Sequence, residues 1–344
     1  MLRKLAPVAL ALFVASSAWA QTNKLNVFIR SEYIDPGIVK QFEAAFDCTV
    51  MMVLFEDNET MMAKLRGGED PLCDIAVSPD YVVRELIRLN ILAPLRHENI
   101  PNLANVDTRF ASPPFDPGNQ YTAPYQWGTV GIYMRKDDDK PIDKTWGLVF
   151  DGSKQPGPFI LIDSLREQIG AALKYTGASI NATDANAIIA ARAALLEARG
   201  RSHGFESSAV GKDKVLAKAA TLAVVYNRDA ARGMEQDPQT VYFVPREGGE
   251  IWLDNMAIPA KAPNRDMAET FINYILDAKV GAQLSNFNKY ATPNKAAREF
   301  VTKEDLENTA IYPPADIMAR LEFIKDLGEV SKLYDQIWTQ VKSN

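Results

Sequence analysis

Leu25-Asn26-Val27-Phe28-Ile29, followed by Gly37-Ile38-Val39-Lys40-Gln41-Phe42-Glu43-Ala44-Ala45-Phe46 and Thr49-Val50-Met51-Met52-Val53-Leu54, decides the fold. The first run is short, apolar and rich in branched side chains, as a buried strand requires. In the second, Ile38, Val39, Phe42 and Phe46 recur at helical spacing and share one face. The third returns to strand composition. A helix opening at Asn58, a strand over 74–77 and a helix over 80–89 continue the alternation. Strands interleaved with helices of this length make βαβ units, and such units make parallel sheets.

A second block repeats the pattern. Strands are predicted over 159–162, 222–226, 240–244 and 251–258, with Glu247-Gly248-Gly249 turning between the last two. Helices are predicted over 165–176, 184–199 and 264–277, and from 305 to the end with a break at Tyr312-Pro313-Pro314. There is no low-complexity segment and no short-period repeat. The chain is therefore α/β in two blocks with no flexible linker, which fits two lobes joined by chain crossings.

The first residues read as an address. Arg3 and Lys4 give a positive start, Leu5 to Val14 a short apolar run, and Ala18-Trp19-Ala20 a small-residue cleavage site, so residues 1–20 are predicted to be a cleavable signal peptide. The run is shorter than the ~20 residues a spanning helix needs. A retained anchor is the alternative. No cysteine stands near the cleavage site, which argues against a lipid tether. The roughly 324 residues left after cleavage favour two domains. The composition, 47% hydrophobic and 24% charged, is globular. Losing Arg3 and Lys4 takes the formal charge from −6 to −8. An acidic chain without a Lys/Arg cluster is a poor nucleic-acid binder and, weakly, attracts cations.

Cys48 and Cys73 each precede a predicted strand and form a candidate disulfide, as an even count in an exported chain favours. Such a bridge would close about 25 residues and contribute about 3 kcal/mol. Two separate buried thiols are the alternative.

Chemistry for turnover is sparse. His97 and His203 both lie in polar, loop-like surroundings and read as solvated side chains. No nucleophile elbow, zinc-protease pair or phosphate-cradling glycine loop is present. Two separated cysteines without nearby histidines make no four-ligand zinc site. No cofactor is expected. A binding reading finds more. Tyr33 follows Glu32, Tyr81 follows Asp80, Tyr226 precedes Asn227, and Trp252 lies two residues before Asp254. Strand alternation puts Trp252 and Asp254 on one face. Aromatic faces attract ammonium groups by about 0.5–2 kcal/mol, and carboxylates add charge-assisted hydrogen bonds. Taken singly, each aromatic reads as core; together with the acids, they point to a small amine-bearing ligand.

In Ser31-Glu32-Tyr33, Asn58-Glu59-Thr60-Met61 with Ala63-Lys64-Leu65, Pro113-Pro114-Phe115-Asp116-Pro117, Pro124-Tyr125-Gln126-Trp127-Gly128, Glu247-Gly248-Gly249 with Trp252-Leu253-Asp254, Ala257-Ile258-Pro259, and Thr292-Pro293-Asn294 with Ala296-Ala297-Arg298, the chain resembles the periplasmic spermidine/putrescine-binding proteins of bacterial ABC transporters. The resemblance covers nearly the whole mature chain. It implies a two-lobed type II periplasmic-binding-protein fold, each lobe a mostly parallel sheet flanked by helices, closing over its ligand. Lobe one would comprise 21–130 and 255–300, and lobe two 131–254 and 301–344. Carried over position by position, the aromatic cage falls on Tyr33, Tyr81, Tyr226, Trp252 and Tyr290. The acids that hold amino groups fall on Glu167 and Asp254, and Ser31 matches a threonine near the ligand. The implied role is capture in the periplasm, as a monomer, for a membrane permease, and not catalysis.

The departures bear on the ligand. Tyr226 replaces a tryptophan, which keeps a π-face. Arg30 stands where the family usually has a cage tryptophan, and Ser164 where an amine-gripping carboxylate is common. Pro79 replaces a serine, Ile324 falls near a glutamine position, and Arg228-Asp229 replace small residues. An arginine facing the cleft would repel an ammonium about 4 Å away by several kcal/mol. Two resolutions follow: Arg30 turns away to pair with Glu32 or Asp35, leaving a polyamine site, or it grips the carboxylate of a zwitterion such as an ω-amino acid. A sensor feeding a membrane receptor would use the same cleft, and a periplasmic enzyme would need groups that the sequence does not display.

Overall fold

The computed structural model of the protein describes residues 23–55, 58–67, 73–136 and 141–343; the predicted signal peptide lies outside them. The first block runs β1 (Asn23–Ile29), α1 (Pro36–Phe46), β2 (Cys48–Leu54), α2 (Asn58–Gly67), β3 (Ile75–Pro79) and α3 (Asp80–Arg88). A long strand, β4 (Thr122–Arg135), leads to the second block. That block holds α4 (Gly147–Phe150), β5 (Phe159–Ile162), α5 (Leu165–Tyr175), α6 (Ala185–Arg201), β6 (Phe205–Glu206), α7 (Ser208–Leu216), β7 (Leu222–Tyr226), α8 (Asn227–Gln236) and β8 (Thr240–Phe243). The chain returns through β9 (Gly249–Ala257) to α9 (Arg265–Ile275) and α10 (Ala278–Asn288), and ends with α11 (Lys303–Glu307), α12 (Ala315–Met318), β10 (Leu321–Glu322) and α13 (Ser331–Ser343).

Local chemistry explains the edges. Pro36 fits the first turn of α1, Asp35 Oδ1 accepts from the Gly37 amide at 2.8 Å, and Asp47 ends the helix in the left-handed region. The apolar stripe then seats Phe42 against Phe271 of α9, with ring centroids 4.9 Å apart. Burying each such ring stabilises the fold by about 2–3 kcal/mol. A separate core (Ile132, Phe159, Leu161, Leu195, Val224) lies under the second block.

The strand order is β2-β1-β3-β9-β4-β7-β5-β6, with β10 beside β9 and β8 beside β4. β1 is parallel to β2 and β3, and β5 to β6 and β7, as helical crossovers require. The strands that cross between blocks are antiparallel, β9 to β3 and β4, and β4 to β7 and β8, so the sheet is mixed. β4 changes partner midway: Thr129 pairs with Ile251 of β9, and Val130 with Tyr226 of β7. Periodicity does not reveal β4, because all but its last residue is buried and Pro124 interrupts its donors where the register shifts. The predicted all-helical ending likewise contains β10, too short to carry a pattern.

The candidate disulfide is corrected. Cys48 and Cys73 are separate thiols. β1 lies between β2 and the chain entering β3, so the cysteines stand two strand spacings apart, about 10 Å, beyond the ~7 Å a bridge spans. Cys73 Sγ instead donates to the Ile75 carbonyl at 3.4 Å.

Candidate functional site

The carboxyl ends of β1, β3, β5 and β7 and one face of β9 meet around a cavity of ≈ 830 Å³, within the range of small-molecule sites. All nine residues marked from the sequence line it: Arg30, Ser31, Tyr33, Tyr81, Glu167, Tyr226, Trp252, Asp254 and Tyr290. β9 explains one side of the cavity, since Glu250, Trp252 and Asp254 alternate onto one face and all reach it. Trp252 lies across the backbone of β4. A Cβ on Gly128 would come within 2.3 Å of its ring and 2.2 Å of Asn227 Oδ1, so only glycine fits there.

The aromatics form a continuous wall. Tyr33 and Tyr290 meet edge to face at 5.7 Å, Tyr290 and Trp252 at 4.9 Å, and Trp252 and Tyr226 at 6.4 Å. The Tyr33 carbonyl accepts from Tyr125 Oη at 2.7 Å and Asn288 Nδ2 at 2.8 Å, which fixes the turn after β1. Tyr81 is 47% exposed at the mouth, as are Arg30 and Ser31 in part.

At one end the Tyr33 hydroxyl donates to Asp254 Oδ2. Burial, then the charge of Asp254, push that hydroxyl well above the usual tyrosine range, so it remains a donor. Burial raises the Asp254 carboxyl, against the opposing effects of the Tyr33 bond and the Arg30 charge. At the other end Tyr226 Oη donates to Glu167 Oε1 at 2.8 Å, and Ser164 Oγ to Glu167 Oε2. Ser164 thus orients Glu167 where an acid of its own is missing.

Two further carboxylates were not among the residues marked from the sequence. Asp80, at the start of α3, is 3% exposed, and Glu250 is 7% exposed. Burial pushes Asp80 up to about 7, helped by the charges of Asp254 and Glu167 and opposed by the Tyr81 amide and Arg84. Burial, then the charges of Glu167 and Asp80, raise Glu250 well above the usual carboxylate range. Glu250 was within reach of the alternation that paired Trp252 with Asp254. Asp80 had no such signal beyond its place beside Tyr81.

Arg30 lines the cavity from its exposed mouth, and its charge lowers both Asp254 and Tyr290. Asp35 caps α1 and accepts from Gln283 at 2.7 Å, while Glu32 accepts from Arg232 at 3.4 Å. The Arg228 guanidinium lies 5.4 Å over Tyr290 and donates to the Glu32 carbonyl at 3.2 Å. Across the mouth, Arg84 donates to the Ile324 carbonyl at 3.0 Å. Among the described residues no His/Cys/Asp/Glu group is placed to hold a metal ion, and no helix is long and apolar enough to cross a membrane.

Two α/β blocks sharing crossing strands around a deep, acid- and aromatic-lined cleft define a binding protein of the periplasmic type. The profile described as bacterial extracellular solute-binding protein matches residues 37–314, and the chain belongs to that family. It is 30% identical over 339 residues to the spermidine/putrescine-binding periplasmic protein of Escherichia coli K12, covering 98% of this chain and 97% of that one. It is 32% identical to the putrescine/cadaverine-binding protein of Pseudomonas aeruginosa, covering 99% of both. Its fold superposes on a spermidine/putrescine ABC transporter substrate-binding protein from Streptococcus pneumoniae with a TM-score of 0.87 at 28% identity, covering 94% and 99% of the two chains.

Proposed function

We propose that the chain captures a polyamine of the putrescine–spermidine class in the interlobe cleft and delivers it to the membrane permease of an ABC importer. The observation that carries this reading is the pairing of an aromatic wall, Tyr33–Tyr290–Trp252–Tyr226, with Asp80, Glu167, Glu250 and Asp254, four of the carboxylates that line the same cavity. Methylene chains pack on the rings while the acids take the ammonium groups. The chain is exported, loses residues 1–20, and works as a monomer in the periplasm. The lobes are 21–130 with 255–300, and 131–254 with 301–344. They close about β4 and β9 by the hinge motion of this fold.

Arg30 and Asp254 line the same cavity, and the Arg30 charge acts on Asp254, which favours a second reading, in which Arg30 holds the carboxylate of an ω-amino acid and Asp254 its ammonium. Calorimetric titration separates the two. The mature protein, unfolded and refolded to remove bound ligand, is titrated with putrescine, spermidine and γ-aminobutyrate, and so is Arg30→Trp. Polyamine binding by the wild type, kept in Arg30→Trp, supports the first reading. Binding of the zwitterion alone, lost in Arg30→Trp, establishes the second and overturns the first.

A further inference from the structure

Asp80 and Glu250 are buried cleft acids outside the positions carried over from the family pattern. Each keeps one oxygen, Oδ2 of Asp80 and Oε2 of Glu250, out of solvent and without a hydrogen-bond partner. Both side chains are more than nine-tenths buried and both line the cavity. Buried acids in one cavity, Asp80 raised by the charges of Asp254 and Glu167 and Glu250 by those of Glu167 and Asp80, are unfavourable unless a cation joins them. Arg84 and Arg166 ease Asp80 and Glu250 by their charge, yet they donate their hydrogen bonds elsewhere. Arg84 donates to the Ile324 carbonyl. Arg166 donates to the Lys325 carbonyl and to Asn181, both at 3.0 Å, with its guanidinium 5.2 Å over Tyr334.

The spacing sets the length of the ligand. Pro79 pairs with Asp254 across β3 and β9, which brings Asp80 to the Asp254 end of the cleft, while Glu250 lies four residues back along β9. Four strand residues span about 13 Å. An extended four-carbon diamine places its nitrogens about 6 Å apart, whereas a triamine with one more three-carbon arm reaches about 11 Å between its ends. We propose that Asp80, at the Asp254 end, and Glu250, at the far end, each supply an additional ammonium subsite, through which the cleft selects a linear triamine over a diamine. The proposal rests on the polyamine reading and adds the residues that discriminate within it.

Titration of the refolded mature protein with spermidine and putrescine tests it. The wild type is expected to bind spermidine at least about 10-fold more tightly, the worth of one further charge-assisted hydrogen bond. Asp80→Asn and Glu250→Gln should each weaken spermidine by about 10-fold and putrescine by less than about 3-fold, so that the preference collapses. Both substitutions keep shape, and thermal unfolding checks that the variants fold. The wild-type preference is read without any variant. Equal or tighter putrescine binding by the wild type overturns the proposal, as does a preference that survives both substitutions. Binding of neither amine overturns the polyamine reading and these subsites with it. Loss of both amines in Asp254→Asn, with Asp80→Asn and Glu250→Gln unchanged, removes the subsites alone.

Discussion

The two ends of the cleft differ from its floor. At the ends, Asp254 and Glu167 are held by hydroxyls, Tyr33 on one side, Tyr226 and Ser164 on the other. On the floor, Asp80 and Glu250 are buried with an unpartnered oxygen each. Hydroxyl donors stabilise the ionised form and fix its direction, so the end acids are aimed before a ligand arrives. The floor acids lack hydroxyl donors and are raised by burial and by the charges of neighbouring acids, so their charge becomes favourable when a cation enters. One cleft thus contains pre-aimed anchors and a charge-sensitive floor.

The largest effect is expected at an anchor. Asp254→Asn removes a charge that Tyr33 orients and should weaken amine binding by about 100-fold or more in calorimetry. An effect below about 5-fold would mean that the anchors and the floor are not distinct.

The floor should be read out by pH. Asp80 is pushed up to about 7 by burial and by the charges of Asp254 and Glu167, eased by the Tyr81 amide and Arg84, so a proton competes with a bound ammonium for its carboxylate. Affinity for a triamine should therefore fall by roughly 20-fold between pH 7.5 and 5.5, and Asp80→Asn should flatten that fall. The same shift acts on the ligand-free fold with the opposite slope. Its folded value lies above its unfolded one, so its contribution to stability is full below about pH 4 and is lost as pH rises through about 7. Asp80→Asn should raise the ligand-free Tm at pH 8 by a few degrees and leave it unchanged at pH 4.

A smaller effect is expected where the two regions join. Gly128→Ala forces Trp252 or Asn227 aside and should destabilise the protein by about 1–3 kcal/mol in denaturant unfolding, with a several-fold loss of amine affinity. The smallest lies outside the cleft. A thiol reductant should leave Tm within about 1 °C, because Cys48 and Cys73 are not bridged, whereas loss of a bridge would remove about 3 kcal/mol.

Much of this was legible in the sequence. The first block shows its elements to within two residues, since period, caps and turn residues agree there. All nine marked residues reach one cavity, because motif positions fix strand ends and strand ends fix the site. Three features were not legible, each for a physical reason. β4 is buried along both faces and carries a proline, so it has no alternation to read. The cysteines seemed to share an edge because sequence does not reveal that β1 lies between them. Asp80 stands at a helix start, where spacing alone does not say whether a carboxylate turns to solvent or into the cleft.

The most direct test is the structure of the protein soaked or refolded with a linear triamine. The triamine should lie along Tyr33, Tyr290 and Trp252, with one terminal nitrogen about 3 Å from Asp254 and another nitrogen at that distance from Asp80 or Glu250. A ligand whose nitrogens avoid all four acids, or a carboxylate ligand seated on Arg30, would contradict the polyamine reading.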